Sequence, residues 1–165
     1  MKKIAFAVLL SAVVAAPAVA ADMYLGVNIG SAKIDWPGTS TTTSFALLGG
    51  YTFNQYFAAE VAYTDFGSHD YAGTNVKSSA LSASGVGSYP INEQFSVFAK
   101  LGFASTTLDP SGFASESDSD MTYGIGGQFN VNKQVGIRLG YDVYKVGTSP
   151  SADEKVTSIG GIFKF

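Results

Sequence analysis

The chain contains no cysteine and a single histidine, His69. Without thiols there is no disulfide framework, no thiolate nucleophile and no cysteine-held metal. With one imidazole there is no pair of metal-spaced histidines, and neither a phosphate-cradling glycine motif nor a pair of catalytic carboxylates occurs. Charge is also scarce: 14% of residues are charged, where soluble domains carry about 25%. Lys plus Arg number 10 against 13 Asp plus Glu, a balance that excludes nucleic acid as a partner, since phosphate binding is driven by clustered basic residues. No cofactor is expected. Heptads and sustained helical spacing are missing as well, and the one long apolar run, near the start, is too short for a membrane helix.

That run belongs to a segment with the order of a secretory signal peptide. Lys2 and Lys3 come first, an apolar stretch from Ile4 to Ala16 follows, and "APAVAAD" closes it with small residues at Ala18 and Ala20. Cleavage is expected after Ala20, with Ala21 as the second choice, and residues 22–165 are expected to form one domain beyond the inner membrane of a bacterium. Loss of Lys2 and Lys3 leaves 8 basic against 13 acidic residues, a charge of about −5.

What the remainder has in abundance is alternation with period two, the mark of strands whose two faces meet different surroundings. From Met23 the odd positions read Met23, Leu25, Val27 and Ile29, and the even ones Tyr24, Gly26, Asn28 and Gly30. The split returns in "SFALLGGYTFN", "YFAAEVAYT", "SSALSASGVGSYP", "FSVFAKLGFA", "MTYGIGGQFNV", "VGIRLGYDVY" and "VTSIGGIFKF", which makes eight strands. Short turns are expected at "FNQY", "PINEQ" and "NVNKQ", and longer polar loops at "DWPGTSTTT", "GSHDYAGTNVK", "TLDPSGFASESDSD" and "GTSPSADEK". The pattern predicts an all-β fold, an eight-stranded antiparallel up-and-down transmembrane β-barrel, with the short turns periplasmic and the long loops outside the cell.

A soluble barrel would show the same period turned inside out, with its apolar side chains in the interior. The aromatics decide between the two. On the apolar face Phe53, Phe57, Tyr89, Phe95 and Phe129 sit beside the short turns, with Phe165 at the terminus, while Phe45, Tyr63, Phe103, Tyr123 and Tyr141 sit toward the long loops. Two belts flanking an aliphatic band describe a lipid-facing surface. The opposite face carries Glu60, Lys100, Gln128 and Arg138, which a dry core would not accept. Eight strands leave a lumen about wide enough for side chains alone, so these groups must satisfy one another. Glu60 is expected to pair with Arg138 or Lys100 as a plug across the lumen.

The segments "GGYTFNQYFAAEVAY", "SYPINEQFSVFAKLGF", "GIRLGYDVY" and "GGIFKF" resemble the transmembrane domain of the OmpA family over nearly all of residues 22–165. The resemblance implies residence in the outer membrane of a Gram-negative bacterium and delivery by periplasmic chaperones to the barrel assembly machinery. That machinery would read a terminal strand ending in Phe163 and Phe165. The resemblance also implies a lumenal gate formed by Glu60 and Arg138. Where the family carries a further lumenal Lys and Glu, this sequence has Val86 and Gln128, so a thinner network is expected. Because the sequence stops at Phe165, no peptidoglycan-binding domain is expected.

The remaining motifs are weaker. His69 in "SHD" is more simply solvated polar sequence than part of a triad with a nearby serine. Glu116 to Asp120, "ESDSD", lacks the turn glycine and distal Glu of a calcium loop, and the acidic loops could instead take part in divalent bridging among lipopolysaccharide phosphates. Thr39 to Thr43 read as a loop end, and Trp36 with Pro37 as a turn and interface anchor. The sequence therefore points to a porin-like, non-enzymatic barrel supporting envelope integrity, in contact with the lipid bilayer and lipopolysaccharide, with at most a narrow ion path. The alternatives are a surface adhesin or host-factor binder acting through its loops and, further off, a lipid A-modifying enzyme using His69.

Overall fold

The computed structural model describes residues 22–34, 41–71, 74–110, 116–146 and 152–165. The expected signal peptide, Trp36 and Pro37 lie outside them. Eight strands run in order: β1 (Met23–Ile34), β2 (Thr42–Asn54), β3 (Phe57–Tyr71), β4 (Thr74–Pro90), β5 (Phe95–Pro110), β6 (Glu116–Asn130), β7 (Val135–Val146) and β8 (Ala152–Lys164). Each pairs antiparallel with its sequence neighbours, and β1 pairs with β8, closing the barrel. Closure leaves no sheet edge, the condition under which strands can cross hydrocarbon.

One end is set by three asparagine turns. Asn54 Oδ1 accepts the amides of Tyr56 and Phe57 at 2.8 and 3.0 Å. Asn92 does the same for Gln94 and Phe95 at 2.9 and 2.7 Å, and Asn132 for Gln134 and Val135 at 2.8 and 2.7 Å. Each side chain thus satisfies the amides that open the next strand, the reason asparagine suits this place. The opposite end departs from expectation. Strands β3 to β6 are 15 to 17 residues long, well beyond the roughly 9–11 needed to cross a bilayer. Most of "GSHDYAGTNVK" and "TLDPSGFASESDSD" is therefore hairpin rather than loop. His69 lies in β3 opposite Val76, Glu116 to Asp120 open β6, and Thr42 and Thr43 already belong to β2. Polar residues on both faces read as loop in sequence, yet beyond the membrane a ladder needs only backbone partners, and strand propensity follows context.

A bulge interrupts β3 near this end. Asp65 pairs with Ser79 and Gly67 with Ser78, so Phe66 is an extra residue. Gly67 has φ of 81°, and its amide donates to Asp65 Oδ1 at 2.8 Å. A Cβ there would meet the Thr43 carbonyl oxygen at 2.8 Å, so glycine is required for space as well as for dihedral.

The alternation sorts as expected. Every aromatic of the two belts is exposed, from 38% at Phe95 to 69% at Phe103, as are Phe163 and Phe165. Phe95 and Phe103 lie eight residues apart on β5, about 27 Å along the strand and about 20 Å along the barrel axis at a typical tilt. Beyond the second belt the outward positions turn polar, with Thr43, Asp65, Ser105 and Ser119 exposed. Inside, large side chains lie over glycines of the neighbouring strand: Tyr24 opposite Gly50, Phe98 opposite Gly126, Asp142 opposite Gly124 and Asn28 opposite Gly160. A Cβ on any of these glycines would overlap the facing side chain. Gly126→Val should therefore destabilise the folded barrel by about 1–3 kcal/mol in urea unfolding from lipid vesicles, while Gly161→Ala, where an outward Cβ meets nothing, should leave the midpoint unchanged.

Candidate functional site: the lumenal plug

Inward positions of five strands converge near the turn end. Glu60 comes from β3, Lys100 from β5, Gln128 from β6, Arg138 and Asp142 from β7, and Tyr24 from β1. Arg138 Nη1 donates to Glu60 Oε2 at 2.5 Å, and Tyr24 Oη donates to the same oxygen at 3.0 Å. Lys100 Nζ reaches Glu60 Oε1 at 3.5 Å and Asp142 Oδ1 at 2.9 Å. Arg138 Nη2 donates to Gln128 Oε1 at 3.2 Å. The guanidinium also lies against two rings, 4.6 Å from the Phe98 centroid and 5.5 Å from that of Tyr24. Two carboxylates thus meet two cations, and Lys100 bridges both acids. The side chains of Glu60 and Arg138 are only 2% and 7% exposed, so each depends on the other for what water would otherwise supply.

Toward the turn end the polar chain continues. Gln128 Nε2 and Lys164 Nζ both donate to Asn130 Oδ1, at 2.8 and 3.0 Å. Toward the loop end lies a cavity of about 20 Å³ lined by Asn28, Ser44, Thr64, Lys100, Asp142 and Ser158 together with apolar neighbours, roughly the room for one water. Above it the lumen closes again. Phe66, extruded by the bulge, meets Tyr144 edge to face at 5.0 Å between centroids, and Ala32, Ala80, Ala104 and Val156 pack around them. The hydroxyls of Thr64 and Tyr144 lie 3.2 Å apart, so even this apolar layer has its polar tip satisfied.

The structure brings together all three charged residues singled out from sequence, with Glu60 bonded to both cations rather than choosing one. Val86 is buried opposite Lys100, as an apolar neighbour. The network is not thin, however: Asp142 supplies a second acid and Tyr24 a donor. Both stood on the inward parity of their strands, so the signal existed, but their height relative to Glu60 depends on strand stagger. Gln128 is in the network as an acceptor. The side chains of His69, Glu116 and Asp118 lie outside the described set, and among the described residues no three acidic or imidazole groups come together to hold a metal.

A closed eight-strand barrel with an apolar, aromatic-belted exterior and a buried ionic lumen is an outer-membrane β-barrel. The chain belongs to the outer membrane protein beta-barrel domain family, whose model matches residues 4–163, and resides in the outer membrane of a Gram-negative bacterium. Neisserial surface protein A is similar in structure, with 20% identity, a TM-score of 0.70, and 87% of this chain and 97% of that chain covered. Ail, the attachment invasion locus protein of Yersinia pestis, is similar at 21% identity and a TM-score of 0.64, covering 88% of this chain and 99% of that one; it has also been solved with the heparin analogue sucrose octasulfate. The N-terminal β-barrel domain of Pseudomonas aeruginosa OprF matches at 12% identity and a TM-score of 0.64, over 86% and 97% of the two chains. At such identities the likeness is one of fold. No curated protein matches the sequence.

Removing one partner of the buried pair is expected to cost about 3–5 kcal/mol. Glu60→Ala should be the costlier change, since it leaves Arg138 and Lys100 facing each other with Asp142 as their one nearby carboxylate. Arg138→Ala leaves Glu60 with Lys100 and Tyr24. Equilibrium unfolding in lipid vesicles, with the double variant closing the cycle, measures the difference.

Proposed function

We propose that this protein is a structural, non-enzymatic component of the outer membrane whose lumen is held shut, with ion passage restricted to rearrangements of its plug. The observation that carries the reading is the double closure: the Glu60, Arg138, Lys100 and Asp142 cluster seals the turn half, and the Phe66–Tyr144 layer seals the loop half. A lumen filled in this way stiffens the cylinder and keeps the permeability barrier intact. Glu60 and Arg138 act as the gate within it. On this reading the turns face the periplasm, the exterior meets the bilayer and lipopolysaccharide, and periplasmic chaperones and the barrel assembly machinery handle the chain in transit.

A second reading rests on the projecting hairpins. Strands β3 to β6 extend past the loop-side belt with polar outer faces, a platform for a surface ligand; Ail, of similar fold, has been solved in complex with sucrose octasulfate. On that outer face Asp65 of β3, Lys77 of β4, Ser105 of β5 and Ser119 of β6 are exposed, whereas Asp118 and Asp120 stand on the inward parity of β6, opposite buried Thr106 and Ala104. Loss of host-cell binding on shortening the β5–β6 hairpin would favour this reading.

Planar bilayer recording separates the two closures. Wild type should show no steady open channel. Arg138→Ala and Phe66→Ala should each remain largely closed because the other layer persists, and the double variant should conduct. Large steady conductance in wild type would refute the structural reading.

A further inference from the structure

Between the ionic cluster and the aromatic layer the lumen holds a buried amide that the protein leaves unmet. Asn28 of β1 is 9% exposed, and its Oδ1 accepts no hydrogen bond from any described residue. The neighbouring strand gives this amide its room: Asn28 stands opposite Gly160 of β8, where a Cβ would overlap Oδ1. A second incomplete group lies beside it. Lys100 Nζ carries three N–H bonds, and its partners among the described residues are two carboxylates, Asp142 at 2.9 Å and Glu60 at 3.5 Å. One N–H is therefore left over. Asn28 and Lys100 line the same cavity of about 20 Å³, together with the Asp142 carboxylate and the hydroxyl-bearing Ser44, Thr64 and Ser158.

Buried polar side chains are hydrogen-bonded in the large majority of cases, and the lining of this cavity decides what can serve Asn28. The space exceeds the roughly 10–15 Å³ that one water requires and excludes a polyatomic ligand. A cation would face the Lys100 ammonium. A halide would face the Asp142 carboxylate, and it has no proton to give Asn28 Oδ1. Water both accepts and donates, and it changes no charge. We propose that the cavity is a binding site for a single resident water, which accepts a hydrogen bond from Lys100 and donates one to Asn28 Oδ1, and that Asn28 acts through it as a positioning residue for Lys100. Asp142 lines the cavity and Glu60 does not, so a bond into the cavity draws the ammonium toward Asp142, in keeping with the shorter of its two contacts. Glu60 is then left to Arg138, the pair that closes the plug. The inference rests on the reading of the lumen as shut, with the water held between the two closures until one of them opens.

Crystal structures of the barrel at a resolution that shows ordered water test the site, and planar bilayer recording tests the positioning. Wild type should show one solvent peak within hydrogen-bond distance of both Asn28 and Lys100. Asn28→Leu, similar in shape but without an acceptor, should lose the peak and bring Lys100 Nζ nearer to Glu60 than to Asp142. Asn28→Ser keeps an oxygen and should keep the peak. In a Phe66→Ala background, where the plug is the remaining barrier, Asn28→Leu should raise the frequency of brief openings about tenfold, the equilibrium worth of one hydrogen bond to a charged group. Asn28→Ser should hold that frequency near the Phe66→Ala value, a rescue that a merely space-filling role would not give. The folded state of each variant is checked by its heat-modifiable gel mobility, and the wild-type peak needs no variant at all. An empty cavity in wild type overturns the site, and an anomalous peak there after a bromide soak assigns it to an anion and overturns it as a water site. A peak that persists in Asn28→Leu with Lys100 unmoved overturns the positioning role. Steady conductance in wild type refutes the closed lumen and with it the trapped water, a failure distinct from an empty cavity in a silent barrel.

Discussion

The governing constraint is that hydrocarbon offers the backbone no hydrogen-bond partner. Every strand must find two neighbours, so β1 must close on β8, and the number of strands fixes how much room is left inside. Eight leave space for side chains but not for a stream of water. From this follow the other features of the interior. Lumenal charges cannot rely on solvent and so bond one another, as Glu60, Arg138, Lys100 and Asp142 do. Large groups find room only where the neighbouring strand presents glycine, as with Tyr24 over Gly50 and Phe98 over Gly126. The chain's richness in glycine and poverty in charge are thus two results of one geometry.

The same constraint explains how much was legible in sequence. Strand count, face assignment and the two belts follow from period-two alternation and the position of rings relative to asparagine turns, both local properties. The approach of Glu60, Lys100 and Arg138 was legible because each sits a similar distance above its turn and the lumen is narrow. Tyr24 and Asp142 were not placed in the network because contact across a lumen depends on the stagger between strands, which no single strand encodes. The hairpins beyond the membrane look like loops in the sequence for a different reason. Once both faces meet water, residues such as Ser117, Ser119 and Thr107 alternate with nothing, and the periodic signal vanishes although the ladder continues. His69 and the "ESDSD" run carry this loop-like pattern although they lie in β3 and β6.

Lumen and exterior also differ in what holds them together. Inside, specificity lies in bonded pairs, such as Arg138 with Glu60 and Lys100 with Asp142. Outside, it lies in order by height: aliphatic, then ring or hydroxyl, then charge. A change that preserves polarity but alters shape is felt inside, and one that preserves shape but alters polarity is felt outside.

The bulge at Phe66 has a consequence of its own. Past Gly67 the parity of β3 inverts, for Ser68 is exposed opposite exposed Lys77 while Phe66 and Ser78 are both buried. The bulge acts as a phase boundary, uncoupling the sequence rhythm of the distal hairpin from that of the cylinder beneath. Substitutions that rewrite the hairpin for a new surface need not disturb which residues point into the barrel. One glycine thereby decides which face every residue of the distal hairpin presents.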